Sequence, residues 1–153
     1  MKSFLPFLAL VLSALGDEAQ KLHALFDAEW EHAMETSPTW ASQLGDRRWN
    51  DRWPDVRLVA IEREHAHDKQ VLEQLATIHR DALPPAEQLN YDMFRLNYER
   101  SVEGFRFGRY LIPLDQRSGI QTEGELGDAL RFETAKDYED WIARLRGFGA
   151  YMD

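Results

Sequence analysis

From Asp17 onward the apolar positions recur at helical spacing, and the breaks between the periodic runs define the elements. Leu22, Leu25, Phe26, Trp30 and Ala33 make one stripe, which predicts a helix from Asp17 to about Glu35 with Asp17 and Glu18 at its favourable N-terminal end. Ser37-Pro38 stops it, because the residue before a proline avoids the helical region. Asp55 can cap a second helix from Val56 to about Leu83, with a seam at 61, 65, 68, 72, 75, 79 and 82. Pro85 suits a first helical turn, and the run Ala86–Phe105 follows. Here Leu89, Met93 and Leu96 fall on one side and Tyr91, Phe94, Tyr98, Val102 and Phe105 on the other, so packing on both sides is expected and the helix should be central. A last helix opens with a Thr134-x-x-Asp137 cap and carries Tyr138, Trp141, Ile142, Leu145, Phe148 and Met152 on one face.

Between these runs the spacing is lost. Thr39–Pro54 reads as a loop in which Trp40, Trp49 and Trp53 alternate with Asp46, Arg47, Arg48, Asp51 and Arg52. After Phe105 the chain is punctuated by Gly108, Pro113 and Gly119. Tyr110, Leu111, Ile112 and Leu114 there suit at most an edge or extended segment, given Pro113. Thr122 and Glu125 have capping-box spacing for a short helix that Gly124 and Gly127 weaken. The fold class is therefore mainly α: four longer helices, a short helix and an irregular extended loop.

Composition adds limits. The 153 residues suffice for one ordinary domain, and 44% hydrophobic and 12% aromatic content argues against disorder. A net charge of −9 makes the chain a poor general binder of nucleic acid or anionic lipid. Without cysteine there is no disulfide and no thiolate metal site. Met1 and Lys2 precede an uncharged run, Phe4–Leu15, broken only by Pro6 and Ser13. Ala14 and Gly16 then stand at the −3 and −1 positions of a cut before Asp17. That is the pattern of a secretory signal peptide over 1–16, too short for a transmembrane anchor, so 17–153 is expected to be exported to the periplasm or beyond without a stable membrane anchor.

The candidate chemistry is sparse. His65 and Asp68 are i, i+3 neighbours that a stand-alone enzyme would use as a base and its orienting carboxylate, or that fix packing as a half-buried pair. His65 and His67 point about 200° apart on a helix and cannot share a metal. The five histidines form no HExxH motif, and no cofactor is expected in this chain itself. The Trp40–Trp53 loop reads either as a ligand platform of rings and guanidiniums or as a loop that packs its own tryptophans and pairs its own charges; the acids beside each arginine favour the second.

Several longer phrases add a resemblance. FDAEW (26–30), LGDRRWNDRW (44–53), LNYDMFR (89–95), GFRFGRYLIPLDQRSGIQTE (104–123) and FETAKDYEDWIARLRGF (132–148) together resemble the N-terminal portion of the domain-of-unknown-function 885 proteins. The resemblance implies an exported, largely helical bacterial protein, regarded as metallopeptidase-like because of a His-Glu-Ala-x-Pro-Gly-His-His motif far downstream. In that motif two histidines would hold zinc and the Glu would activate water. No such motif occurs in this sequence, so none of its histidines is carried over as a ligand. What is implied is the N-terminal part of a larger helical fold, a scaffold covering one side of a cleft. Its partners would be the C-terminal part of the same polypeptide and a peptide substrate. The last apolar stripe, still in phase at Asp153, fits a chain that continues. Arg106, Gln116, Arg117 and Gln121 cluster on the Gly/Pro-rich segment after the third long helix and are the candidate cleft residues. The competing reading is a complete small exported helical binding module that uses the Trp40–Trp53 loop.

Overall fold

The computed structural model describes the backbone of residues 5–112 and 119–152, and the side chains from 17 onward within those ranges except 120 and 121. Four long helices, α1 (Leu5–Thr36), α3 (Leu58–Leu75), α4 (Pro85–Phe105) and α6 (Ala135–Met152), alternate with two short ones, α2 (Pro38–Gln43) and α5 (Leu126–Ala129). No strand occurs among the described residues, so the protein is mainly α. The Tyr110 region, expected to be extended, instead contains a 3-10 turn at Arg109–Leu111, entered through Gly108 at φ 61°, a left-handed angle that glycine adopts without strain. The chain divides into two compact units. One comprises 1–28 and 63–107, the other 29–62 and 108–153.

The first unit is built on apolar packing. Leu22 and Leu25 of α1 meet Val71 and Leu75 of α3, Ile78 and Leu83 of the connection, and Tyr91 of α4. Burying each such leucine contributes roughly 1.5–3 kcal/mol. Phe26, Phe94 and Tyr98 extend the cluster, with ring centroids 4.7 Å apart at both steps. α3 was expected to reach Leu83 but ends at Leu75. Beyond that residue Ile78 turns into the core and the His79 backbone N–H donates to Glu18 Oε2 at 2.6 Å. The carboxylate thus takes a donor that another helical turn would have used. The Tyr91 hydroxyl donates to the Leu75 carbonyl at 3.3 Å and the Gln88 amide to the Leu83 carbonyl at 2.9 Å, satisfying backbone groups that the turn leaves open. Arg80 then clamps Asp92 with two hydrogen bonds, at 2.8 and 2.6 Å.

α4 corrects another expectation. Its Tyr91–Phe94–Tyr98 side enters the core, but Leu89 (63% exposed), Met93 (53%) and Leu96 (36%) face outward. The helix is apolar on two sides and covered on one. In α1, Asp17 and Glu18 lie inside a helix that runs from Leu5 in the uncut sequence. Glu18 is instead buried, held by Lys21 and the His79 N–H.

The second unit contains the end of α1, with Met34 buried, then α2 and α6. Ser37 stands between the first two helices at φ −121°, ψ 63°, outside the helical region as the following Pro38 requires. The expected Thr39–Pro54 loop is partly helical: α2 opens on Pro38, and Arg47–Trp49 forms a 3-10 turn capped by the Asp46 carboxylate. Asp55 accepts the Arg57 backbone N–H at 3.2 Å just before α3 begins. At the start of α6 the Asp137 carboxylate accepts the Thr134 and Glu133 backbone N–H groups at 2.7 and 3.0 Å, while the Asp137 N–H reaches the Thr134 hydroxyl at 3.3 Å, a reciprocal capping box. The Thr122/Glu125 box does not form. Thr122 donates to the Gly119 carbonyl, Ile120–Glu125 winds as a 3-10 turn, and α5 begins only at Leu126.

A buried arginine and a cavity as the candidate functional site

Along α6 the buried or half-buried positions are 137, 140, 141, 144, 148 and 151, a four-three seam with an arginine at its centre and Asp140 beside it. Four of the six residues of the predicted stripe therefore lie outside: Tyr138, Ile142, Leu145 and Met152 are 46–57% exposed. Arg144 is fully buried. Its Nη2 donates to the Trp49 carbonyl at 2.6 Å, the Ser42 hydroxyl at 2.9 Å and the Pro38 carbonyl at 3.3 Å, while its own backbone carbonyl accepts the Trp53 indole N–H at 2.7 Å. The guanidinium lies 5.6 Å from the Trp53 ring centre, which stacks on Tyr151 at 5.1 Å and 13°. One side chain thus ties α6 to α2, to the 3-10 turn and to Trp53.

The charge on that side chain is balanced from a distance. Nε and Nη1 are buried without a hydrogen-bond partner. Asp51, Glu123 and Asp140 favour the charged form through space, yet burial dominates and lowers the group to about 10. Glu123 accepts the Tyr151 hydroxyl at 3.2 Å, and burial with that neighbouring charge raises the phenol to about 12.

The Ser42 hydroxyl that receives Arg144 also contacts Asn50 Oδ1 at 2.6 Å and lines a cavity of about 380 Å³. Arg47, Asn50, Arg131, Leu44 and Leu130 line it too. Arg47 is held by Glu133 at 2.6 Å and Asp137 at 3.3 Å. Hydrogen bonds from Thr134, then the Glu133 N–H and the Arg47 charge, keep the Asp137 carboxyl below its usual range.

The loop tryptophans do not form a single platform. Trp53 is half-buried and hydrogen-bonded, Trp49 is half-buried, and Trp40 is exposed edge-to-face with Trp30. The neighbouring arginines pair with carboxylates: Arg48 with Asp46 and Glu31, Arg52 with Asp51, Arg57 with Asp55. Of the candidate cleft residues, Arg106 is exposed, donates to Glu103 at 2.9 Å and lies 4.7 Å from the Phe107 ring centre. Gln116 and Arg117 lie outside the described residues, and so does the side chain of Gln121.

In the first unit His65 stacks flat on Phe105 at 3.8 Å with Nδ1 buried and unpartnered, while Asp68 takes its hydrogen bond from Ser101 at 2.6 Å. Burial raises Asp68. The His65 ring and the Asp68 carboxylate are thus directed to different partners, Phe105 and Ser101. No group of three or more His, Asp or Glu side chains able to hold a metal occurs among the described residues. No helix among them is long and apolar enough to cross a membrane.

The architecture and the site define a helical protein whose second unit is assembled on a buried cation. The family that matches residues 38–153 is described as "Bacterial protein of unknown function (DUF885)", and the chain belongs to it. No curated protein and no solved structure matches the chain.

Proposed function

We propose that the chain is a non-catalytic helical scaffold of an exported, metallopeptidase-like hydrolase. Membership of the DUF885 family carries this reading, through the downstream zinc motif that the resemblance implies. The described residues do not fit a zinc site of their own: the histidines are dispersed, His23 against Glu87, His65 against Phe105, His79 at a turn, and no cluster of ligands forms. Metal chemistry is therefore assigned to the relatives' motif and not to these side chains. The outward apolar faces of α4 and α6 support a scaffold whose helices are covered by further polypeptide. In this reading residues 1–16 are a signal peptide that directs 17–153 out of the cytoplasm, and Arg106, Gln116, Arg117 and Gln121 face the peptide substrate.

The test uses a longer relative that contains the His-Glu motif. Replacing the residues equivalent to Arg117 and Gln121 with alanine should lower peptide turnover at least tenfold with folding intact. Unchanged kinetics would remove the cleft assignment, and loss of zinc dependence in the unaltered relative would remove the hydrolase reading.

A binding module remains the second reading, favoured by the exposed Trp30–Trp40 pair. Saturable tryptophan quenching by a peptide that Trp40→Ala abolishes would establish it in place of the scaffold.

A further inference from the structure

We propose that the cavity beside α2 binds an organic carboxylate, with Arg131 as the ion-pairing residue and Ser42 and Arg47 beside it. The inference does not depend on the hydrolase reading. The chain has 27 acidic side chains against 18 basic ones, yet the cavity is lined by two arginines and by no aspartate or glutamate. Arg131 differs from the other arginines of this region. Arg47, Arg48, Arg52 and Arg57 are each held by a carboxylate, whereas exposed Arg131 makes no hydrogen bond or ion pair among the described residues.

A second observation lies one hydrogen bond behind the wall. The Ser42 hydroxyl that lines the cavity receives Nη2 of Arg144, a fully buried cation with two unpartnered nitrogens. Its carboxylate neighbours act on it only through space, whereas Arg47, Arg48, Arg52 and Arg57 each touch a carboxylate. In a region of low dielectric such a charge attracts an anion in the adjoining cavity. Arg47 contributes less, since Glu133 and Asp137 already occupy it.

Shape and lining narrow the ligand. A planar guanidinium matches a carboxylate with two parallel hydrogen bonds. About 380 Å³ exceeds what a bare inorganic ion needs, and Leu44, Ala129 and Leu130 offer apolar wall for an organic body. The carboxylate can be the end of a peptide or belong to a free small acid, and both present the same group to Arg131.

The experiment titrates the full chain by calorimetry at low salt with N-acetyl-leucine, its amide and succinate. N-acetyl-leucine should bind at one site, its amide should not, and added salt should weaken the affinity. Arg131→Gln should weaken binding at least tenfold. Arg131→Lys should keep part of it, and Arg100→Gln, an exposed change on α4, should leave it unaltered. Preference for N-acetyl-leucine over succinate makes a peptide terminus the source; the reverse preference makes it a free acid. No binding by either, equal binding of the amide, or full affinity in Arg131→Gln overturns the proposal.

Discussion

The Arg144 guanidinium gathers two backbone carbonyls and a hydroxyl through a single nitrogen, so removing it takes the donor from the part-buried Trp49 oxygen, while the Pro38 oxygen keeps the Ser42 hydroxyl at 2.8 Å. A buried carbonyl costs about 1–3 kcal/mol when unsatisfied. Arg144→Ala, which also opens a cavity, should therefore destabilise by roughly 3 kcal/mol or more, read as a shift in urea midpoint. Arg144→Met keeps most of the volume and removes a charge that burial already disfavours, so it should lose less than the alanine variant. Equal losses would mean that the lost hydrogen bonds, and not the space left behind, set the cost. Asp68 follows the opposite logic from the paired acids. Burial raises it, so its ionised form is a liability in the fold. Asp68→Asn still accepts from Ser101 and should hold or raise the urea midpoint.

At the scale of elements, the capping box and the outward face of α6 lead to contrasting expectations. Thr134→Ala removes a hydroxyl that both donates to Asp137 and receives its backbone N–H, and should cost about 1 kcal/mol. Ile142→Gln and Leu145→Gln alter side chains that are 46% and 49% exposed, and each should move stability by no more than about 0.5 kcal/mol in this chain. Equilibrium denaturation of the three variants checks both statements together. A large loss at Ile142 would mean that this face is covered in solution.

For the whole molecule the lowered carboxyls set the acid limb. Glu18, held by Lys21 and the His79 N–H, and Asp137, held by Thr134, sit below their ordinary values of 4.5 and 3.8. A carboxyl depressed in the folded state stabilises it fully above the unfolded value, and that contribution is lost as pH falls through the folded one. Stability should thus be flat from pH 7 to about 5 and then decline below about 4.5. A Glu18→Gln, Asp137→Asn double variant should show a shallower decline in circular-dichroism melts taken across that range. The exposed faces of α4 and α6 are also a property of the whole chain. They should bind an apolar dye or drive concentration-dependent association in sedimentation, and a dye-silent monomer would count against covered faces and hence against the scaffold.

Much of this was legible in the sequence because it is local. The four long helices, the stop at Ser37-Pro38, the start of α4 on Pro85 and the Thr134–Asp137 box rest on backbone geometry and neighbours within four residues, which periodicity and capping spacing encode. The aromatic phrases likewise carried the family. What only tertiary structure decided depends on partners distant in the chain. α3 stops at Leu75 because Glu18, 61 residues away from His79, takes its N–H. α4 is covered on one side because one set of aromatics finds α1 and α3. The seam of α6 passes through Arg144, a residue that reading by hydrophobicity skips, since a guanidinium enters a core only where several oxygens converge on it. Pro38, Ser42 and Trp49 come from a segment about 100 residues earlier, and their convergence is set by the fold and not by any spacing along the chain.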